Sequence, residues 1–119
     1  MNSNQNCPVC GALTLYRPPY FEYRPELLPQ VRFLPGPYSR FFGAESFDCC
    51  ACCGFEFGFD DHPGASDNAR SFDQYLLDWI EAGSLWFAPE RKPKDWDLQA
   101  QLSNAGIVDP RIDNQKKPG

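Results

Sequence analysis

The 119-residue sequence has no apolar run that approaches the roughly 18 residues of a membrane-spanning helix, so it predicts no membrane span. Residues 1–6 have neither the basic start nor the apolar stretch of a secretion signal. We therefore expect a soluble, cytoplasmic protein. In that reducing compartment, paired cysteines bind metals more often than they form disulfides.

Histidine is also scarce, and basic side chains are scarce in the middle of the chain. His62 is the single histidine, and we expect it to be a loop residue beside two acids. Residues 49–83 contain one basic residue, Arg70, against seven acidic ones, a balance that disfavours nucleic-acid binding. Since no paired base and nucleophile is evident, we predict no enzymatic activity and no small-molecule substrate.

In contrast, the sequence contains six cysteines. Residues 7–11 (CPVCG) and residues 50–54 (CACCG) share the C-x-x-C-G spacing of a metal knuckle, in which two thiolates converge on one cation. We predict one structural Zn²⁺, because four thiolates close its coordination shell, with iron as the alternative metal for the same ligands. The predicted ligands are Cys7, Cys10, Cys50 and Cys53.

A second register is open, because Cys49 and Cys52 also form a C-x-x-C pair. Gly54 follows Cys53 directly, as a glycine follows the first knuckle, and this favours Cys50 and Cys53 as the ligands. The two remaining cysteines would then be buried thiols, a redox pair or ligands of a second ion.

Alternating apolar residues predict strands at residues 13–16, 30–34, 46–49 and 55–59. Six prolines and eight aromatics lie between Tyr16 and Phe42, so residues 16–46 are predicted to form an ordered, loop-rich insertion. We expect these aromatics to cover a ribbon too small to bury itself, with a partner-binding surface as the alternative.

Two helices are predicted after the second knuckle. Ser71 and Gln74 fit a capping box, so a helix should begin there and end at Gly83. Its apolar stripe places Trp79 in the middle, where we expect that side chain to be buried. The stripe residues are Phe72, Tyr75, Leu76, Trp79 and Ile80.

The second predicted helix covers residues 96–105 and ends at Gly106. In a Schellman motif, Ile107 would contact Leu102. The predicted fold is therefore α+β: a small zinc ribbon with two knuckles and hairpin strands, a loop-rich insertion and two C-terminal helices. We expect a single domain at residues 1–108 and a flexible tail at residues 109–119.

Four stretches, CPVCG, CxxCGFEFGFDD, SFDQYLLDWIEAGSLWF and KDWDLQAQL, resemble the small bacterial proteins grouped as the cysteine-rich CPCC family and its zinc-ribbon relatives. The resemblance covers residues 7–15 and 47–107 and includes all four predicted ligands. It departs from the family where 39 residues separate Cys10 from Cys50, since a tight hairpin is expected there. Some of these proteins are encoded beside polymorphic toxins, which implies a role as immunity proteins.

Charge and resemblance together predict a zinc-binding module that captures a basic protein, such as a toxin domain, and neutralises it. A nucleic-acid-associated zinc ribbon and a rubredoxin-like iron redox protein are the alternatives. The predicted partner-binding residues are Glu56, Asp60, Asp61 and Asp73.

Overall fold

The computed structural model describes residues 5–64 and 69–111. In this part of the chain, a two-stranded antiparallel sheet and four α-helices are joined by long loops, which confirms the α+β class. None of the described helices has the length and apolar character needed to cross a membrane. The elements are β1 (Gln5–Asn6), β2 (Leu13–Leu15), α1 (Leu28–Val31), α2 (Ser39–Phe42), α3 (Phe72–Glu81) and α4 (Leu98–Asn104).

The two knuckle hairpins differ in regularity. β1 pairs with β2, so the strand predicted at residues 13–16 is confirmed. The second hairpin has one isolated bridge, between Cys49 and Glu56, and the two regular strands predicted on either side of it are wrong. Phe47 (φ 59°) and Gly58 (φ 104°) leave the extended conformation, which ends the ladder on both sides.

The strand predicted at residues 30–34 is also wrong. A 3₁₀ helix (Pro25–Leu27) leads there directly into α1. Pro25 and Pro29 each lie in a first helical turn, where the missing N–H is not needed and the fixed φ suits a helix.

Aromatic residues of the insertion enter the core. Tyr20, Tyr38 and Phe42 are fully buried, and the ring of Tyr38 stacks on Phe72 of α3 with centroids 3.8 Å apart. The expectation that the insertion covers the ribbon is confirmed for these three residues. Other aromatics of the insertion stay exposed, namely Tyr16, Phe21 and Phe33.

The insertion also caps α3. Ser71 is the N-cap, as predicted, and its Oγ accepts the N–H of Gln74 at 3.1 Å. The N–H of Phe72 donates to the hydroxyl of Tyr38 at 3.0 Å, and the next N–H of the helix donates to the carbonyl of Arg32 at 3.1 Å. Three free N–H groups at this helix end are therefore satisfied, two of them by residues far away in the sequence.

The predicted stripe of α3 is only partly buried. Phe72, Leu76 and Ile80 lie in the core, whereas Tyr75 and Trp79 are half-buried. The prediction that Trp79 is buried is therefore wrong. Its indole lies at the edge of the core, edge-on to Trp96, and Nε1 donates to the carbonyl of Leu85 at 2.8 Å.

The helix predicted at residues 96–105 is confirmed as α4, shortened at its start because the carboxylate of Asp97 caps it. Gly106 has φ 73°, and the N–H of Ile107 donates to the carbonyl of Leu102 at 2.9 Å. The predicted Schellman motif is thus confirmed, with both apolar partners buried.

Residues 109–111, at the start of the predicted tail, are joined to α4 by a side-chain hydrogen bond. Asp109 is buried, and its Oδ2 accepts hydrogen bonds from Gln99 at 2.8 Å and from the guanidinium of Arg111 at 2.7 Å. The hydrogen bonds from Arg111 hold the pKa of this carboxyl well below its usual range. The remainder of the predicted tail, residues 112–119, lies outside the described residues.

Candidate metal centre

The two C-x-x-C-G segments, knuckle 1 (residues 7–11) and knuckle 2 (residues 50–54), have the same backbone hydrogen bonds. In each, the glycine N–H donates to the carbonyl of the first cysteine, at 2.8 Å in knuckle 1 and 2.9 Å in knuckle 2. Gly11 and Gly54 have φ of 89° and 81°, left-handed values that other residues adopt only at a cost. The spacing therefore produces two matching turns.

Four buried sulfur atoms converge where the knuckles meet. The Sγ atoms of Cys7, Cys10, Cys50 and Cys53 all lie within 4.8 Å of one another. The distance from Cys7 to Cys53 is 3.8 Å and that from Cys10 to Cys50 is 3.7 Å, far longer than a disulfide bond. Metal–sulfur bonds of about 2.3 Å place tetrahedral ligands about 3.8 Å apart. The predicted set is confirmed as a group able to hold one metal ion.

Burial disfavours the thiolate form of these cysteines when no cation is bound. It raises the pKa of the thiols of Cys7, Cys10 and Cys53 well above the usual value, because an isolated thiolate is costly away from water. Cys50 differs, since hydrogen bonds from Cys10, and then from the other two ligands and Thr14, lower the pKa of its thiol. A bound metal would allow all four groups to be thiolates.

Cys52 does not belong to the four-sulfur group. It is fully buried, and its sulfur accepts a hydrogen bond from Nε2 of Gln101 at 3.6 Å. Within residues 5–64 and 69–111, no second cluster of three or more potential metal ligands is found. Of the three roles left open by the sequence, Cys52 has that of a buried thiol.

Cys49 has a different role, one that Asn6 shares. Nδ2 of Asn6 donates to the carbonyl of Gly11 at 2.9 Å, and Sγ of Cys49 donates to the carbonyl of Gly54 at 3.5 Å. Each residue directly precedes a knuckle and bonds the knuckle's last carbonyl. Burial raises the pKa of the Cys49 thiol to about 11, so the sulfur keeps the proton that this bond needs at neutral pH.

Arg32 supports knuckle 1 from the insertion. Its side chain is 9% exposed, and the guanidinium donates to the carbonyls of Pro8 at 2.8 Å and Val9 at 3.0 Å, while Nε pairs with Asp73 of α3. The sequence pattern does not identify this residue as a support of the knuckle. The sequence signal for Arg32 is a single basic residue inside an apolar stretch. No neighbouring residue identifies the groups that it bonds.

Two further polar groups connect the knuckles to the helices. The hydroxyl of Tyr75 in α3 donates to the carbonyl of Cys53 at 3.1 Å, and Nε2 of Gln101 in α4 donates to the carbonyl of Cys10 at 2.9 Å. The apolar periodicity places Tyr75 in the stripe of α3, and that pattern gives no signal for the role of its hydroxyl. Both predicted helices therefore hold the candidate metal centre directly.

Asp61 is not part of an exposed acidic surface. It is fully buried, and its carboxylate accepts hydrogen bonds from the hydroxyl of Tyr20 at 2.5 Å, the N–H of Tyr38 at 3.1 Å and the N–H of Gly58 at 2.9 Å. The prediction that it binds a partner is corrected. Instead, its carboxylate joins the insertion to the second hairpin.

The other acids predicted to bind a partner are half-buried. Asp73 pairs with Arg32, whereas Asp60 accepts the backbone N–H of Glu56 at 2.8 Å. His62 lies in the following turn, where Nδ1 accepts a backbone N–H at 3.2 Å, consistent with its predicted place in a loop. Glu56 and Asp60 therefore lie together on the second hairpin, and Asp73 is apart from them in α3.

Comparison with known proteins finds similarity to an uncharacterized protein. No protein-family model matches the chain, and no solved structure matches it. The uncharacterized protein YoaQ of Bacillus subtilis (strain 168) is 29% identical over 100 residues, covering 76% of this chain and 69% of that protein. This similarity assigns no activity, so the resemblance to the CPCC proteins stays a prediction.

Proposed function

We propose that this chain is a zinc-binding protein-interaction module. The proposal that the chain binds a metal rests on the convergence of four buried sulfur atoms within 4.8 Å of one another. A shell of four thiolates leaves no position open for a substrate, which supports a structural and not a catalytic ion. Elemental analysis of the purified protein should find one zinc per chain. Absence of metal, or two metals per chain, would contradict the proposal.

The proposed partner surface is the exposed side of the second hairpin, formed by Phe47, Glu56, Phe59 and Asp60. Phe47 is 61% exposed and Phe59 is 44% exposed, and the two acids lie in the same hairpin. Phe47 also has a left-handed φ of 59°, a strained conformation for a bulky residue. Strain of this kind concentrates at functional sites, and aromatic side chains are common anchors in protein interfaces.

The proposed partner is a basic toxin domain, with this chain as its immunity protein. Two things support this choice: the resemblance to proteins encoded beside toxins, and the balance of seven acids against one basic residue at residues 49–83, of which Glu56 and Asp60 lie on the proposed surface. An acidic surface would steer a basic domain toward the hairpin and make association fast at low salt. Binding alone could neutralise the toxin, so no catalytic step is required.

The proposed identity of the partner is tested by measuring binding between this chain and the product of the adjacent gene. Glu56→Gln combined with Asp60→Asn removes two charges while an acceptor for the Glu56 N–H remains. We expect a slower on-rate with a weaker salt dependence. Asp95→Asn is the control, because Asp95 is exposed outside the hairpin. Recovery of nucleic acid in place of protein, or a partner insensitive to salt and to both hairpin substitutions, would contradict the proposal.

A rubredoxin-like iron protein is the second candidate, because iron uses the same four thiolates. Sulfur separations of 3.7 and 3.8 Å fit either ion. Visible absorption separates them, since ferric iron bound by thiolates is coloured and zinc is not. A colourless protein with stoichiometric zinc would exclude the iron candidate.

A further inference from the structure

Thr14 lies against the candidate metal centre. It is 5% exposed, and its Oγ1 is 3.1 Å from Sγ of Cys50. Thr14 belongs to β2 in the first hairpin and Cys50 to knuckle 2, so this contact joins the two halves of the site. A thiolate ligand has no proton to donate, and with a metal bound the threonine hydroxyl must therefore be the donor.

Cys50 has a second donor as well. The backbone N–H of Cys52 lies 3.3 Å from its Sγ. Across the two described ranges, no hydroxyl or backbone N–H bonds the sulfur of the other three ligands. Counted from the start of each knuckle, the position matching Thr14 is Phe57, which has no polar group to offer Cys7.

We propose that Thr14 is a positioning residue of the metal centre that sets the electron density on the Cys50 sulfur. This inference rests on the metal binding proposed above. Hydrogen bonds to a ligand sulfur withdraw electron density from the metal–sulfur bond, and they are among the features that tune affinity and reduction potential. Cys50 is therefore the weakest electron donor of the four ligands, although the two knuckles match in sequence spacing.

Cobalt(II) is the probe for this proposal, because tetrahedral thiolate coordination produces a sulfur-to-cobalt absorption band that reports on the sulfur. Thr14→Val removes the hydroxyl and keeps the branched shape, whereas Thr14→Ser keeps the hydroxyl. We expect Thr14→Val to move the band to longer wavelength, because the Cys50 sulfur becomes more electron-rich. The variant should also bind cobalt about tenfold to a hundredfold more weakly in competition with a chelator, because the buried thiolate loses a hydrogen bond that stabilises its charge. Thr14→Ser should match the parent in both measurements.

Three outcomes would overturn the proposal or its premise in distinguishable ways. A Thr14→Val protein with the parent band and affinity would show that the hydroxyl has no electronic effect. A change in Thr14→Ser with none in Thr14→Val would mean that Thr14 acts through packing of its methyl group, because only the serine variant lacks that group. A parent protein that takes up no cobalt would contradict the metal centre itself. Should Thr14→Val fail to fold, Thr14→Ala replaces it in the same comparison.

Discussion

Knuckles 1 and 2 share a backbone conformation but are held by different kinds of partner. In knuckle 1, the second and third carbonyls accept hydrogen bonds from the guanidinium of Arg32 at 2.8 and 3.0 Å. In knuckle 2, the corresponding carbonyls accept the backbone N–H groups of Ala88 and Phe87 at 2.8 and 3.0 Å. One charged side chain therefore bonds the two carbonyls in knuckle 1 whose counterparts in knuckle 2 are bonded by the backbone of a neighbouring segment.

This difference gives the insertion a structural task. Because Arg32 lies within residues 16–46, knuckle 1 depends on the insertion for two of its carbonyl partners. Many substitutions remove a side-chain donor, whereas only proline removes a backbone N–H, so knuckle 1 should be the more sensitive of the two to mutation. The 39 residues between Cys10 and Cys50 are therefore part of the support of the metal centre.

Loss of a ligand should produce the largest effect. Cys50→Ser leaves three thiolates, which cannot close a tetrahedral shell, so we expect loss of metal and of cooperative folding. Cys49→Ser should keep both, because Cys49 bonds a carbonyl and lies outside the four-sulfur group. Metal content and thermal unfolding measure the two variants. Equal damage from both substitutions would mean that the ligands are assigned wrongly.

Arg32→Ala should produce the next largest effect. It leaves two knuckle 1 carbonyls without their partner and Asp73 without its cation, which we expect to cost about 2–4 kcal/mol in the free energy of unfolding. Denaturant unfolding of the metal-loaded protein measures this cost. Arg40→Ala is the matched control, because Arg40 also bonds a carbonyl, at 2.7 Å, but in an exposed position.

The control should change stability by less than about 0.5 kcal/mol, as exposed substitutions usually do. If Arg32→Ala were no worse than Arg40→Ala, knuckle 1 would not depend on the insertion. In that case, the contrast between the knuckles would have no energetic consequence.

The parts that sequence analysis predicted correctly are set by neighbouring residues. The glycine after each C-x-x-C selects the ligand register, Ser71 caps α3 through the third residue beyond it, and Gly106 ends α4. In each case the interacting groups lie within a few positions of one another. Short spacing is sufficient to predict such contacts.

The parts that sequence analysis missed depend on distant residues. Asp61 resembles an exposed turn acid, and two of the three donors that allow its burial come from Tyr20 and Tyr38, far earlier in the chain. Residues 30–34 alternate as a strand would, yet two prolines in first helical turns allow α1. Arg32 likewise finds its carbonyl partners more than twenty residues away.

Tyr75→Phe tests the side-chain support of knuckle 2 and should have a modest effect. It removes the hydrogen bond to the carbonyl of Cys53 and keeps the ring, which packs edge-on to Phe55 with centroids 4.8 Å apart. We expect a cost of about 1 kcal/mol, with Tyr16→Phe as an exposed control. A cost as large as that of Arg32→Ala would remove the contrast between the knuckles.

The smallest expected effect concerns the residues that precede the knuckles. Asn6 and Cys49 bond equivalent carbonyls, but the amide bond is 2.9 Å long and the thiol bond 3.5 Å. Asn6→Ala should therefore cost about 1 kcal/mol and Cys49→Ala less, because a thiol is a weak donor. Conversely, Cys49→Asn should keep the metal and raise the free energy of unfolding by up to about 0.5 kcal/mol, since it copies the stronger bond into knuckle 2. Metal loss in Cys49→Asn, or a larger cost for Cys49→Ala than for Asn6→Ala, would show that the two positions are not equivalent.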